Sequence, residues 1–224
     1  MIPRVLLDTA PIPGGGELRL FRRGSEYSIM LGANELMNSR KSRSEEALAT
    51  LALPRTPAGL GASVLIGGLG MGFTLRAALA VLARHAEIAV AELVPAVVAW
   101  ARGPMAEVFA GSLDDPRVSI VEGDVGAAIR SAHARYDAIL LDVDNGPDGL
   151  TREENDGLYH PAGLRSARAA LRPGGVLAIW SAAPDARFTL RLRAAGFRVE
   201  EVTARANGSR GGMRHVIWLA TVPA

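Results

Sequence analysis

From Ala62 onward, short apolar runs alternate with longer stretches in which apolar residues recur every three or four positions. "SVLIGG", "EIAVAE", "RVSIVEG", "YDAILLD", "VLAIWSA", "FRVEEVTA" and "RHVIWLATV" read as strands. Between them, "GFTLRAALAVLARH", "PAVVAWARGPMAEVFA", "VGAAIRSAHA", "GLRSARAALR" (ended by "PGG") and "ARFTLRLRAAG" read as helices. Ala138 to Leu141 offers no polar side chain to water, as expected of a strand covered on both faces. Regular βα alternation predicts an α/β protein with a doubly wound, mostly parallel seven-stranded sheet. Only "RANGSRGGM" separates the last two strands, too short for a parallel crossover, so that pair should be an antiparallel hairpin.

The preceding segment has a different period. In "GELRLFRRGSEYSIMLGANELMNSR", Leu18 and Leu20, then Tyr27, Ile29 and Leu31, alternate with polar residues about the turn "RRGSE", which predicts a β-hairpin. "SRSEEALATLAL" begins a helix at Ser42 or Ser44 and stops before Pro54. With the Pro/Gly-rich "APIPGGG", this outlines a small β-rich N-terminal cap over residues 1–58, too short to stand alone, ahead of a main domain over 59–224.

Composition narrows the class. With 224 residues and 49% hydrophobic content the chain can bury a full core. No run reaches the roughly 18 uncharged apolar residues of a membrane span, and "MIPRVLLDTAPIPGGG" is broken by Asp8 before it resembles a signal peptide. No membrane partner is expected, and a cytoplasmic location is the default expectation. The chain has no cysteine, which excludes disulfides, thiolate catalysis and thiolate metal sites. His85, His133, His160 and His215 lack metal-ligand spacing, so no metal is expected. The net charge is +2, Lys41 is the only lysine, and the arginine clusters are scattered with little aromatic interleaving. Nucleic acid is therefore not an expected partner.

Candidate chemistry gathers where strands end, the edge at which open α/β sheets bind ligands. The first strand runs into "GGLGMG" and then a helix, so the backbone turns tightly and presents free N–H groups. Glu92, twenty residues beyond Gly72, ends the second strand, where a carboxylate can accept both hydroxyls of a ribose. Asp124 begins the next helix, placed to cap it or to accept from an adenine amino group. The glycine spacing G-x-G-x-G differs from the dinucleotide G-x-G-x-x-G, and no second nucleotide-binding half follows, so a nucleoside fits better than NAD. After the fourth buried run come Asp142, Asp144 and Asp148. Asp142 is the first polar residue beyond the strand, Asp144 a helper, and Asp148, inside "PDG", a turn residue. Trp180, ending the fifth strand, either walls the site or fills core, while Tyr159 and His160, which follow the loop, either close over the site or, as the favoured role, pack at a helix start.

These segments, in this order and spacing, resemble the class I S-adenosylmethionine fold. More narrowly, "VLIGGLGMGFTLRAAL", "VAELVPAVVAWAR", "VSIVEGDVGAAI", "YDAILLDVDNGPDGL" and "ALRPGGVLAIWS" are similar to the spermidine synthase group of aminopropyltransferases. The resemblance implies that Gly68, Gly70 and Gly72 line the methionine-derived part of the ligand. It also implies that Glu92 holds the ribose and Asp124 the adenine, with Leu93, Gly123 and Val125 beside them. Asp142, assisted by Asp144, would face the reacting centre under a loop, "VDNGPDGLTREEND", in which Thr151 to Glu154 forms a capping box. The implied reaction moves an aminopropyl group from decarboxylated S-adenosylmethionine to a small amine, in a homodimer. Three departures stand out. Met71 occupies the place of an aspartate in the glycine loop, and Asn145 that of a second loop acid. "MNSRKSRSEEAL" lacks the family's glutamine and tyrosine, leaving Glu45 or Glu46 to replace its glutamate. Methyl transfer from intact S-adenosylmethionine is the alternative, although the Asn/Asp-Pro-Pro-aromatic motif of base-amino methylation is absent. A non-enzymatic nucleoside-binding homologue is the third reading.

Overall fold

The computed structural model describes residues 2–40, 42–143, 157–205 and 214–224. The N-terminal segment contains β1 (Val5–Pro11), β2 (Glu17–Arg23), β3 (Glu26–Leu31), β4 (Asn34–Asn38) and then α1 (Arg43–Ala52). The expected hairpin is β2 with β3, which pair Leu18 with Leu31 and Leu20 with Ile29. It is flanked by two further strands, so the cap is a four-stranded antiparallel sheet in the order β1-β2-β3-β4.

The rest alternates as the pattern predicts: β5 (Ser63–Gly67), α2 (Phe73–Val81), β6 (Glu87–Glu92), α3 (Pro95–Arg102), α4 (Ala106–Phe109), β7 (Val118–Glu122), α5 (Val125–Arg130) and β8 (Tyr136–Leu141). Then come α6 (Pro161–Ala170), β9 (Leu171–Ser181), α7 (Ala186–Ala194), β10 (Arg198–Arg205) and β11 (Arg214–Thr221). The sheet order is β10-β11-β9-β8-β5-β6-β7. Strands β9, β8, β5, β6 and β7 are parallel, while β11 runs antiparallel to both β9 and β10. Strand β9 starts earlier than its apolar run, at Leu171, and carries "RPGG" at a shift in its register with β8.

Side chains of the central strands alternate between two cores, as the pleat dictates. Val64, Ile66, Ala138 and Leu140 face a core shared with Leu48 of α1, Leu75 of α2, Val97 of α3 and the cap residues Leu18, Leu20 and Ile29. Leu65, Ile139 and Leu141 face the opposite core, with Ile129 of α5, Leu164 of α6 and Phe188 of α7. Tyr159 packs edge-on against Phe188, which packs edge-on against Trp218, so helix-start packing is the role Tyr159 plays. The cap shares a core with the main sheet, and the Trp100 indole N–H of α3 donates to Asp8 of β1 at 2.6 Å. Among the described residues no helix is long and apolar enough to cross a membrane.

Candidate active site

At the carboxyl ends of β5, β6 and β8 the sheet opens into a cavity of about 130 Å³, roofed by the cap. Its floor is main chain. Gly68 (φ +89°) follows β5, and a Cβ there would lie 2.5 Å from the main-chain oxygen of Asp142. Only glycine lets the two strand ends approach so closely. The Asp142 N–H in turn donates to Gly67 O at 3.0 Å. Gly70 also lines the cavity, with Met37 of the cap as its neighbour. Gly72 lies outside the cavity lining: it caps α2 at φ +72°, and a Cβ there would meet the Phe109 ring at 2.5 Å. Met71 is buried in the core and likewise does not line the cavity.

Glu92 ends β6, and both of its oxygens are held. Oε2 accepts from Leu69 N–H and Oε1 from Val94 N–H, each at 2.9 Å. Burial pushes its pKa above the ordinary carboxylate range, while those N–H groups oppose the rise. The N–H groups of Gly70 and Leu93 are also turned toward it, so the carboxylate organises the glycine loop. Asp124 caps α5, accepting from Gly126 N–H at 2.8 Å and Ala127 N–H at 2.9 Å, and pairs with Arg130 at 3.1 Å. Leu93, Gly123 and Val125 complete this side of the lining.

Asp142 follows β8 and lines the cavity. Its Oδ2 accepts from the Thr74 hydroxyl at 2.8 Å. Burial first, and then the Glu45 carboxylate of α1, raise its pKa to about 7, against the pull of Thr74. Glu45 is therefore the cap-side acid that faces the site. Glu46 instead borders a separate groove between α1 and β10.

Sequence reasoning missed the apolar roof: Ile12, Leu18, Leu31, Leu36 and Met37, all from the cap, line the cavity. Thr74, in the first turn of α2, was also missed. Trp180 lies outside the cavity lining and stacks on His215 at 4.8 Å. Asp144, Asn145, Asp148 and the segment expected to close over the site lie outside the described residues, apart from Val143, which lines the cavity.

A mostly parallel sheet with an antiparallel pair at one edge, and a glycine floor beneath a roofed cavity at its strand ends, define the class I S-adenosylmethionine fold. Residues 43–187 match the spermine/spermidine synthase domain, and the chain belongs to that family. It is 30% identical over 193 residues to the polyamine aminopropyltransferase of Mycobacterium tuberculosis, covering 82% of this chain and 35% of that protein. It is 36% identical over 117 residues to putrescine N-methyltransferase 2 of Nicotiana attenuata, covering 51% of this chain and 29% of that one. The chain thus spans about a third of the length of these relatives. Among solved structures, spermidine synthase in complex with the transition-state analogue AdoDATO superposes with a TM-score of 0.75 at 19% identity, covering 96% of this chain and 72% of that one.

Proposed function

We propose that the chain is an aminopropyltransferase that takes decarboxylated S-adenosylmethionine as donor and a small amine of the putrescine type as acceptor. The observation that carries this reading is the charge of the cavity. Its described lining contains Glu92, Asp124 and Asp142 but no Arg, Lys or His. Arg130 offsets Asp124 from outside the lining, which leaves Glu92 and Asp142 without a basic partner among the cavity residues. Such a surface favours a ligand whose sulfonium and ammonium groups are both positive. Intact S-adenosylmethionine would bring an additional carboxylate into this acidic cavity, at an electrostatic cost.

In this reading Gly68 and Gly70 leave room for the ligand chain, Glu92 orients the ribose, and Asp124 stands at the adenine end. The positive sulfur supplies the activation, so the protein's task is alignment and proton handling. The acceptor nitrogen forms a bond to the propyl carbon as the carbon–sulfur bond breaks. That electron pair stays on sulfur, which leaves as a neutral thioether. Asp142 orients the amine and accepts its proton. Homodimer formation through the cap belongs to the same proposal.

Methyl transfer is the second reading, favoured by the putrescine N-methyltransferase relative and by Met71 in the glycine loop. Titration calorimetry with decarboxylated S-adenosylmethionine, S-adenosylmethionine and methylthioadenosine separates the two. Decarboxylated donor and methylthioadenosine are expected to bind at least about tenfold more tightly than intact S-adenosylmethionine. Preference for the intact form would transfer the assignment to methylation, and binding of none would remove the nucleoside assignment.

A further inference from the structure

We propose that Thr74 is a positioning residue, a hydroxyl rotor that keeps the Asp142 carboxyl aimed into the cavity whether or not that carboxyl carries a proton. The inference rests on the transfer reading for what Asp142 does, but its geometry stands independently. Thr74 Oγ1 lies 2.8 Å from Asp142 Oδ2 and 3.1 Å from the main-chain oxygen of Glu45. Thr74 is buried, and a hydroxyl has one proton, so it cannot donate to both acceptors at full strength.

The two acceptors correspond to two states. With Asp142 ionised, the Thr74 hydroxyl donates to Oδ2. With Oδ2 protonated, the carboxyl donates to Thr74 Oγ1, and the Thr74 proton swings to the Glu45 carbonyl in α1. A proton that instead enters on Oδ1 leaves Oδ2 an acceptor for the Thr74 hydroxyl, so Oδ2 stays anchored in every state and only hydrogens move. A proton acceptor that changes state without moving heavy atoms is preorganised for its reaction.

The charges around this pair are acidic. Glu45 faces it from α1, with its own Oε2 held by the Ser44 hydroxyl at 2.7 Å. Glu92 at the end of β6 and Asp124 at the start of α5 share the cavity. The end of β5 contributes glycine backbone, and the cap contributes apolar side chains such as Met37. Burial and Glu45 raise the Asp142 pKa, and the Thr74 hydrogen bond is the influence that restrains the rise.

The test compares Thr74→Val, close in shape but without a hydroxyl, with Thr74→Ser, which restores one. Aspartate carboxyl carbons are followed by NMR titration, with the Asp142 signal identified by its loss in Asp142→Asn. Thr74→Val is expected to move the Asp142 midpoint upward by about one pH unit, and Thr74→Ser to return it near wild type. With decarboxylated donor and putrescine, Thr74→Val should lower kcat at pH 7 roughly tenfold while changing the donor KM by less than about twofold. If Thr74→Val does not fold, Thr74→Ala carries the same comparison. An unmoved midpoint, or failure of Thr74→Ser to restore it, overturns the proposal. A moved midpoint in a protein that transfers nothing upholds the positioning role and overturns the transfer reading alone.

Discussion

Asp142 sets stability against function. An exposed aspartate titrates near 3.8, whereas burial and the neighbouring Glu45 raise this one to about 7. Between these values the folded chain retains a proton that the unfolded chain has released. Stability from this group is therefore full below about pH 4 and is lost as pH rises toward 7, by on the order of 2–4 kcal/mol. Asp142→Asn removes the titration. Its urea-unfolding free energy should lack that decline and exceed wild type above pH 7, while the two converge near pH 4. Parallel curves for the two proteins across this window would show that Asp142 titrates as an ordinary surface acid. A stabilising substitution at this position is the signature of a charge held in place for function.

At the level of elements, the glycine loop combines two tasks that its spacing alone does not separate. Gly68 and Gly70 line the cavity, while Gly72 turns the chain into α2 beneath Phe109. Gly72→Ala places a side chain at φ +72° and drives its Cβ to 2.5 Å from that ring. The expected loss is roughly 2–4 kcal/mol, read from the urea midpoint. Because ring and methyl compete for one space, Phe109→Ala should recover part of that loss, so the double variant costs less than the two single changes added. Strict additivity would locate the strain in the backbone alone. The same reasoning explains what the sequence revealed. Strands such as β8 were legible because burial on both faces leaves a continuous apolar run. Strand β1 was not, since only Ala10 in it is buried, and β4, "NELMN", is short and without a β-branched or aromatic residue. Glu92, Asp124 and Asp142 were legible because topology brings strand ends together. The contact of Thr74 with Asp142, 68 positions apart, and the cap's apolar roof depend on packing that no local pattern encodes.

Considered as a whole, the molecule protects its sheet edges unequally. Strand β10 carries Arg198, Glu200 and Glu201, with Glu200 paired to Arg55 at 3.1 Å. Strand β4 is short, and its Glu35 pairs with Arg40 at 2.9 Å. Charged and short edges resist pairing with another chain. Strand β1 is protected only past its middle, where the chain bulges between Leu6 and Asp8 and Asp8 accepts from Trp100; before that, Val5, Leu6 and Leu7 are 50%, 48% and 39% exposed on the sheet edge. In the proposed homodimer a second copy of the chain would cover this edge with a matching one, as a twofold-symmetric contact requires. The cap that would pair in this way also roofs the cavity through Ile12, Leu18 and Leu31, so assembly should steady the proposed nucleoside site. Sedimentation velocity is therefore expected to show a dimer at micromolar concentration. Leu6→Lys together with Leu7→Glu should yield a monomer that binds methylthioadenosine severalfold more weakly, with its main core intact by circular dichroism. A wild-type monomer would remove the dimer assignment. A variant that remains dimeric would move the contact to another face, and a monomer with undiminished affinity would show that the roof holds its shape without a partner.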